Sequence, residues 1–164
     1  MTEVAEEIGE RLVALLPRLR RFARSLSRNQ HDADDLVQVA IERALRGRAQ
    51  FREGANLGSW MFGIMKNAWI DARRARGRRG EVALPDDSGE HPAVAPSDTS
   101  TGLWDVSEAM NKLPEDQRLA VALVLVEGMT YQEAAAVLEV PIGTLTSRLA
   151  RGRSALAAEL GDSP

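Results

Sequence analysis

Residues 130–156 read TYQEAAAVLEVPIGTLTSRLARGRSAL, and this stretch decides the fold. It scans as two helices joined by a tight turn. Thr130 with Glu133 forms a capping box, in which each side chain covers a backbone N–H at the first helix's start. Ala134, Ala135, Val137 and Leu138 make an apolar stripe whose alanines admit a closely crossing neighbour. Pro141 is expected to stop this helix, because the residue before a proline is pushed out of helical geometry. In the second helix Leu145, Leu149, Gly152 and Leu156 recur at spacings of four, three and four, so they share one buried face. Thr144, Ser147, Arg148 and Arg151 share another face. A small polar and basic stripe on the second helix of such a pair suits a DNA major groove. The plain alternative is a helical hairpin with a solvated basic face.

Working outward, the 164 residues suffice for one ordinary domain or two small ones. The absence of cysteine excludes a disulfide framework and thiolate metal sites. The longest apolar run, Leu119 to Val126, is too short to span a bilayer. Residues 1–16 are acidic at the front and do not read as a secretory signal. A cytoplasmic protein without membrane insertion is the expectation.

The net charge of −3 conceals an asymmetry. Residues 1–80 carry sixteen Lys and Arg against ten Asp and Glu. Residues 81–103 carry none against five, and residues 104–164 carry five against nine. These blocks predict two folded units, 1–80 and 104–164, with an acidic flexible linker at 81–103 rich in Pro, Gly, Ser and Asp.

In the first unit Ile8, Leu12, Leu15, Leu16, Leu19, Ala23 and Leu26 recur at helical period, with a kink or fresh start expected at Pro17. Asn29 to Asp32 reads as a turn and cap before a helix from Asp34 to Leu45. Leu36, Val37, Ala40, Ile41, Ala44 and Leu45 form its apolar side, and Asp35, Gln38 and Glu42 a polar line opposite. Residues 51–58 form a loop, and Ser59 is expected to cap a long helix in which Trp60, Ile64 and Ala68 can face inward. Asn67, Asp71, Arg74 and Arg78 make one continuous stripe on it. Aromatics, an amide and arginines interleaved supply planes to stack on, edges to hydrogen-bond and charge for phosphates, which is what single-stranded nucleic acid needs. Trp60 reads better as a core anchor; the arginine run 73–79 reads better as a nucleic-acid surface. In the second unit Pro114 is expected at the first position of a helix ended by Gly128.

No catalytic constellation is visible. His31 and His91 are isolated, and Gly54, Gly58 and Gly63 lack the strand context of a phosphate-cradling loop. No enzyme activity, cofactor or metal is expected.

Three segments together carry a specific likeness: DADDLVQVAIERAL (32–45), NLGSWMFGIMKNAWIDARRARGRR (56–79) and LPEDQRLAVALVLVEGMTYQEAAAVLEVPIGTLTSRLARGRSAL (113–156). In this order and spacing the chain resembles an extracytoplasmic-function sigma factor, over nearly all of its length outside the linker and termini. The resemblance implies an all-α fold of two small helical domains, region 2 and region 4, joined by a linker. It implies binding to core RNA polymerase, recognition of promoter DNA, and control by an anti-sigma factor, often under stress. Asp35, Gln38 and Glu42 would meet the polymerase clamp helices. Trp60, Asn67, Asp71, Arg73, Arg74, Arg76 and Arg78 would engage the −10 element, where a base of the opened strand is held outside the stack. Thr144, Ser147, Arg148, Arg151 and Arg153 would contact the −35 element, with Ser147 and Arg151 nearer base edges. The chain departs from many members at Thr146, Ala150 and Trp69, where a basic, a bulky and a different residue are usual. Two rival readings are a sigma-like mimic that binds an anti-sigma protein without reading promoters, and a helix-turn-helix repressor.

Overall fold

Helical periodicity governs the architecture throughout. The computed structural model describes residues 2–52, 54–78 and 106–161, and among these there is no strand. Helices α1 (Thr2–Leu26), α2 (Gln30–Arg46) and α3 (Leu57–Arg78) build the first region, with a short 3₁₀ turn at Arg48–Gln50. The second region begins with α4 (106–112). It continues through α5 (Glu115–Val121), a π-type turn (Ala122–Val126), α6 (Tyr131–Leu138) and α7 (Ile142–Gly161). The expected linker at 81–103, with His91, lies outside the described residues, as do Arg79 and Leu103.

Leu19, Phe22 and Leu26 of α1 meet Met61, Phe62 and Met65 of α3 in the first core, all essentially inaccessible. The rings of Phe22 and Phe62 meet edge to face at 5.0 Å, the geometry their quadrupoles favour. Leu119 and Leu123 pack with Leu145 and Leu149 in the second core, and the two cores form one contiguous apolar cluster. Each such buried side chain contributes about 1.5–3 kcal/mol relative to exposure. Among the described residues no helix is long and apolar enough to cross a membrane.

Several boundaries differ from expectation for local reasons. α1 runs unbroken through Pro17. Both the proline and Val13, whose carbonyl it leaves without a helical donor, are exposed, on the side of the helix away from the core. α2 starts at Gln30, because Asn29 Oδ1 accepts from the Asp32 N–H at 2.8 Å and makes Gln30–Asp32 the first turn. Leu45 is exposed, off the apolar side. α3 is capped by Asn56, not Ser59: Asn56 Oδ1 accepts from the Ser59 N–H at 3.1 Å. Its inward face is Met61, Phe62, Met65, Ala68 and Trp69, while Trp60 and Ile64 are half-buried. Pro114 is the N-cap of α5 rather than its first residue.

In the stretch that decides the fold, Thr130 Oγ1 accepts from the Glu133 N–H at 3.1 Å, the forward half of the capping box. α6 stops at Leu138 because Glu139 turns left-handed (φ 56°), its N–H returning to the Ala135 and Ala136 carbonyls. Pro141 stands two residues beyond, and its carbonyl accepts the Leu145 N–H as α7 begins. Leu145, Leu149 and Gly152 are buried as the spacing predicts, and Leu156 is half-buried.

Candidate nucleic-acid and polymerase interfaces

α3 presents Asn67, Asp71, Arg74 and Arg78 as an exposed stripe, because its opposite face is anchored in the core. Arg73 and Arg76 are exposed beside it. Most of these charges are answered. Arg43 of α2 donates to Asp71 Oδ2 at 2.9 Å. Arg76 pairs with Asp32 at 3.3 Å, and Arg73 with Glu115 of the second region at 3.4 Å. Arg73 also lies 5.0 Å over the buried Trp69 ring. Trp60 sits apart near the start of α3, tilted against Phe51 at 5.1 Å.

α7 presents Ser147, Arg151 and Arg153 to solvent. Thr144 is half-buried, and Arg148 turns toward Asp116 at 3.5 Å. The basic set expected on this helix is thus divided between the outer face and a cleft. Gly152 allows the helix to lie on α5: a Cβ there would meet Val121 Cγ2 at 2.6 Å. Thr146 directs its hydroxyl back to the Ile142 carbonyl at 2.8 Å.

On α2, Asp35, Gln38 and Glu42 are all exposed. Gln38 and Glu42 border a groove of about 640 Å³ shared with Arg20 and Arg24 of α1. Asp35 lies outside it and faces His31 at 3.5 Å.

The second region closes over α3. A cavity of about 870 Å³ has Asn67, Asp71 and Arg74 on one wall and Glu115, Asp116, Glu139 and Arg148 on the other. Three polar contacts that the sequence reading missed hold the two regions together. Glu127, its side chain fully buried, takes Arg21 at 3.0 Å and Arg18 at 3.4 Å from α1. That carboxylate raises the Arg21 pKa further, first by hydrogen bonding and then by charge. Buried Arg118 donates to the carbonyls of Leu26, Asn111 and Leu113. Burial, then the nearby cations Arg73 and Arg28, lower its pKa to about 10, so it stays charged at neutral pH. Lys66, 5% exposed, reaches Glu139 at 3.3 Å. A cation alone in an apolar run, as Lys66 is within WMFGIMKNAWI (60–70), is the one signal that could have marked any of them.

Comparison with known proteins gives two family matches. The Sigma-70 region 2 model matches residues 12–79, and the Sigma-70 region 4 model matches residues 103–156. The chain is 38% identical over 160 residues to the ECF RNA polymerase sigma factor EcfG of Rhodopseudomonas palustris, covering 96% of this chain and 87% of the relative. It is 39% identical over 145 residues to the ECF sigma factor SigE of Mycolicibacterium smegmatis, covering 85% of this chain and 56% of that one. Among solved structures it is similar to the sigma factor RpoE of Bartonella quintana, solved with the anti-sigma factor NepR. There the TM-score is 0.81 at 35% identity, over 97% of this chain and 99% of the other.

Proposed function

The chain belongs to the extracytoplasmic-function family of RNA polymerase sigma factors, and from that premise we propose how its surfaces divide the work of directing core polymerase to promoters. The single observation that carries the reading is the pair of region 2 and region 4 matches in family order, with an exposed amide-and-arginine stripe on α3 of the first.

The α3 stripe takes the −10 element. Asn67 and Asp71 offer hydrogen-bonding edges to an extruded base, and Arg74 and Arg78 neutralise the strand's phosphates. Holding a base outside the stack costs a few kcal/mol, which these contacts offset. On α7, Ser147 and Arg151 read −35 base edges, with Thr144, Arg148 and Arg153 on phosphates. Asp35, Gln38 and Glu42 of α2 meet the polymerase clamp helices. An anti-sigma protein is a further partner, by analogy with the similar sigma factor solved with one.

The two promoter elements lie about 25 base pairs apart, roughly 85 Å along B-DNA. Asn67 and Arg148 border the same cavity, so the closed chain cannot read both elements at once. Binding to polymerase therefore separates region 4 from region 2. The test is transcription reconstituted with core polymerase on a promoter library. Asn67→Ala should impair open-complex formation more than closed-complex binding. Normal permanganate reactivity of the −10 strand with Asn67→Ala would refute the α3 assignment.

A further inference from the structure

The walls of the cleft differ in charge. The first-region wall holds Arg43, Lys66 and Arg74 against Asp71, and the second-region wall holds Glu115, Asp116 and Glu139 against Arg148. Lys66 precedes Asn67, and Lys66, Ile70 and Arg74 follow one another at one-turn spacing, so they form a line that joins the proposed −10 stripe at Arg74. All three border the cleft.

Lys66 is buried because the second region covers it. Leu138 and Glu139, at the end of α6, line the cleft beside it, and the only ion pair of Lys66 among the described residues is with Glu139. The partner is lopsided: the Lys66 side chain is 6% exposed and the Glu139 side chain 80%. A lysine held out of water by a carboxylate on a separable region becomes an open ammonium when that region leaves. Glu115 pairs with Arg73 across the same boundary at 3.4 Å, there with the cation still 45% exposed.

The geometry points to Lys66 as a further −10 contact, a phosphate-binding cation that Glu139 masks in the closed chain by standing where a strand phosphate would stand. Region 4 thus acts as an internal polyanion, with Glu139 on Lys66 and Glu115 on Arg73. This rests on α3 being the −10 surface. Its consequence goes further, since the free chain's own second region lowers its affinity for single strands, and Lys66 joins the surface only as that region departs.

The test measures binding of a labelled single-stranded −10 oligonucleotide to the full chain. Glu139→Gln leaves an exposed residue of similar shape, so folding is not at issue. It should tighten binding severalfold at low salt. One released phosphate contact follows a salt slope of about 0.7, so the gain should shrink about threefold between 50 and 200 mM salt. The gain should be absent in a Lys66→Met background, which keeps the apolar stem, and absent for Glu108→Gln, which removes an exposed charge elsewhere. In the holoenzyme Lys66→Met should weaken binding to forked −10 DNA and reduce the salt slope by about 0.7. No gain from Glu139→Gln, an equal gain from Glu108→Gln, or a gain that survives Lys66→Met would each overturn the masking. An unchanged holoenzyme with Lys66→Met would overturn the contact. Failure of the α3 assignment itself is distinguished by Asn67→Ala, which would then leave forked-DNA binding intact.

Discussion

α3 and α7 both carry arginines on an outward face, yet their surroundings differ. On α3, Arg73, Arg76 and Asp71 are all paired, Lys66 beside them is buried, and one cleft wall is set against them. On α7, Ser147, Arg151 and Arg153 face solvent, and only Arg148 turns inward. The proposed −35 surface is therefore largely unpaired in the closed chain, while on the proposed −10 surface Lys66 is buried and Asp71, Arg73 and Arg76 are held in ion pairs. On the proposed assignment, pairing cations of the −10 surface within the free chain weakens non-specific binding to single strands.

The contrast depends on what ties the regions together, and the largest effect is expected there. Arg118→Ala removes the donor to three carbonyls, one of them at the end of α1. Leaving buried acceptors unpaired costs about 3 kcal/mol, or about 6–12 °C in Tm for a chain of this size. Thermal unfolding checks this; a shift below 2 °C would mean that the Arg118 hydrogen bonds contribute little and that the Glu127 and Lys66 ion pairs and apolar contact hold the regions.

Gly152→Ala attacks the α7 side only. The added Cβ meets Val121 at 2.6 Å, so α7 must lift off α5, at a cost of about 2 kcal/mol. Duplex −35 binding by the holoenzyme should weaken while α3-dependent strand binding is retained; equal loss of both would erase the distinction between the two surfaces. Arg151→Ala, a smaller change, should relax discrimination at one −35 position by about 1.5 kcal/mol, read by competition between promoter variants. Arg153→Ala should do least. It should weaken all sequences alike and lower the salt slope by about 0.9, the value of one duplex phosphate contact.

What was legible beforehand follows the range of the forces involved. The Thr130 cap, the Leu145–Leu149–Gly152 face and the Asn67–Asp71–Arg74–Arg78 stripe are set by neighbours three and four residues away, and periodicity finds them. The helix starts at Asn29 and Asn56 were misplaced because each asparagine accepts the N–H of the residue three further on, Asp32 and Ser59, and so places the first turn ahead of where the sequence was read to begin it. The left-handed Glu139 carries no sequence mark, since glycine is the usual residue there. Lys66, Arg118 and Glu127 find their partners from 73 to 109 residues away, beyond any local pattern. Composition suggested two units and an acidic connector; it gave no hint that the acidic residues of the second unit face the cations of the first.

The central claim is that the chain is closed when free and extended on a promoter. Because it contains no cysteine, Ala49→Cys and Ser154→Cys, both at exposed positions on opposite regions, can carry a donor and an acceptor dye without competing labels. Energy transfer should be high in the free chain. It should fall close to zero when core polymerase and promoter DNA are added, as the regions part toward the roughly 85 Å between the promoter elements. Transfer that is already low in the free chain, or that stays high in the promoter complex, would contradict the account.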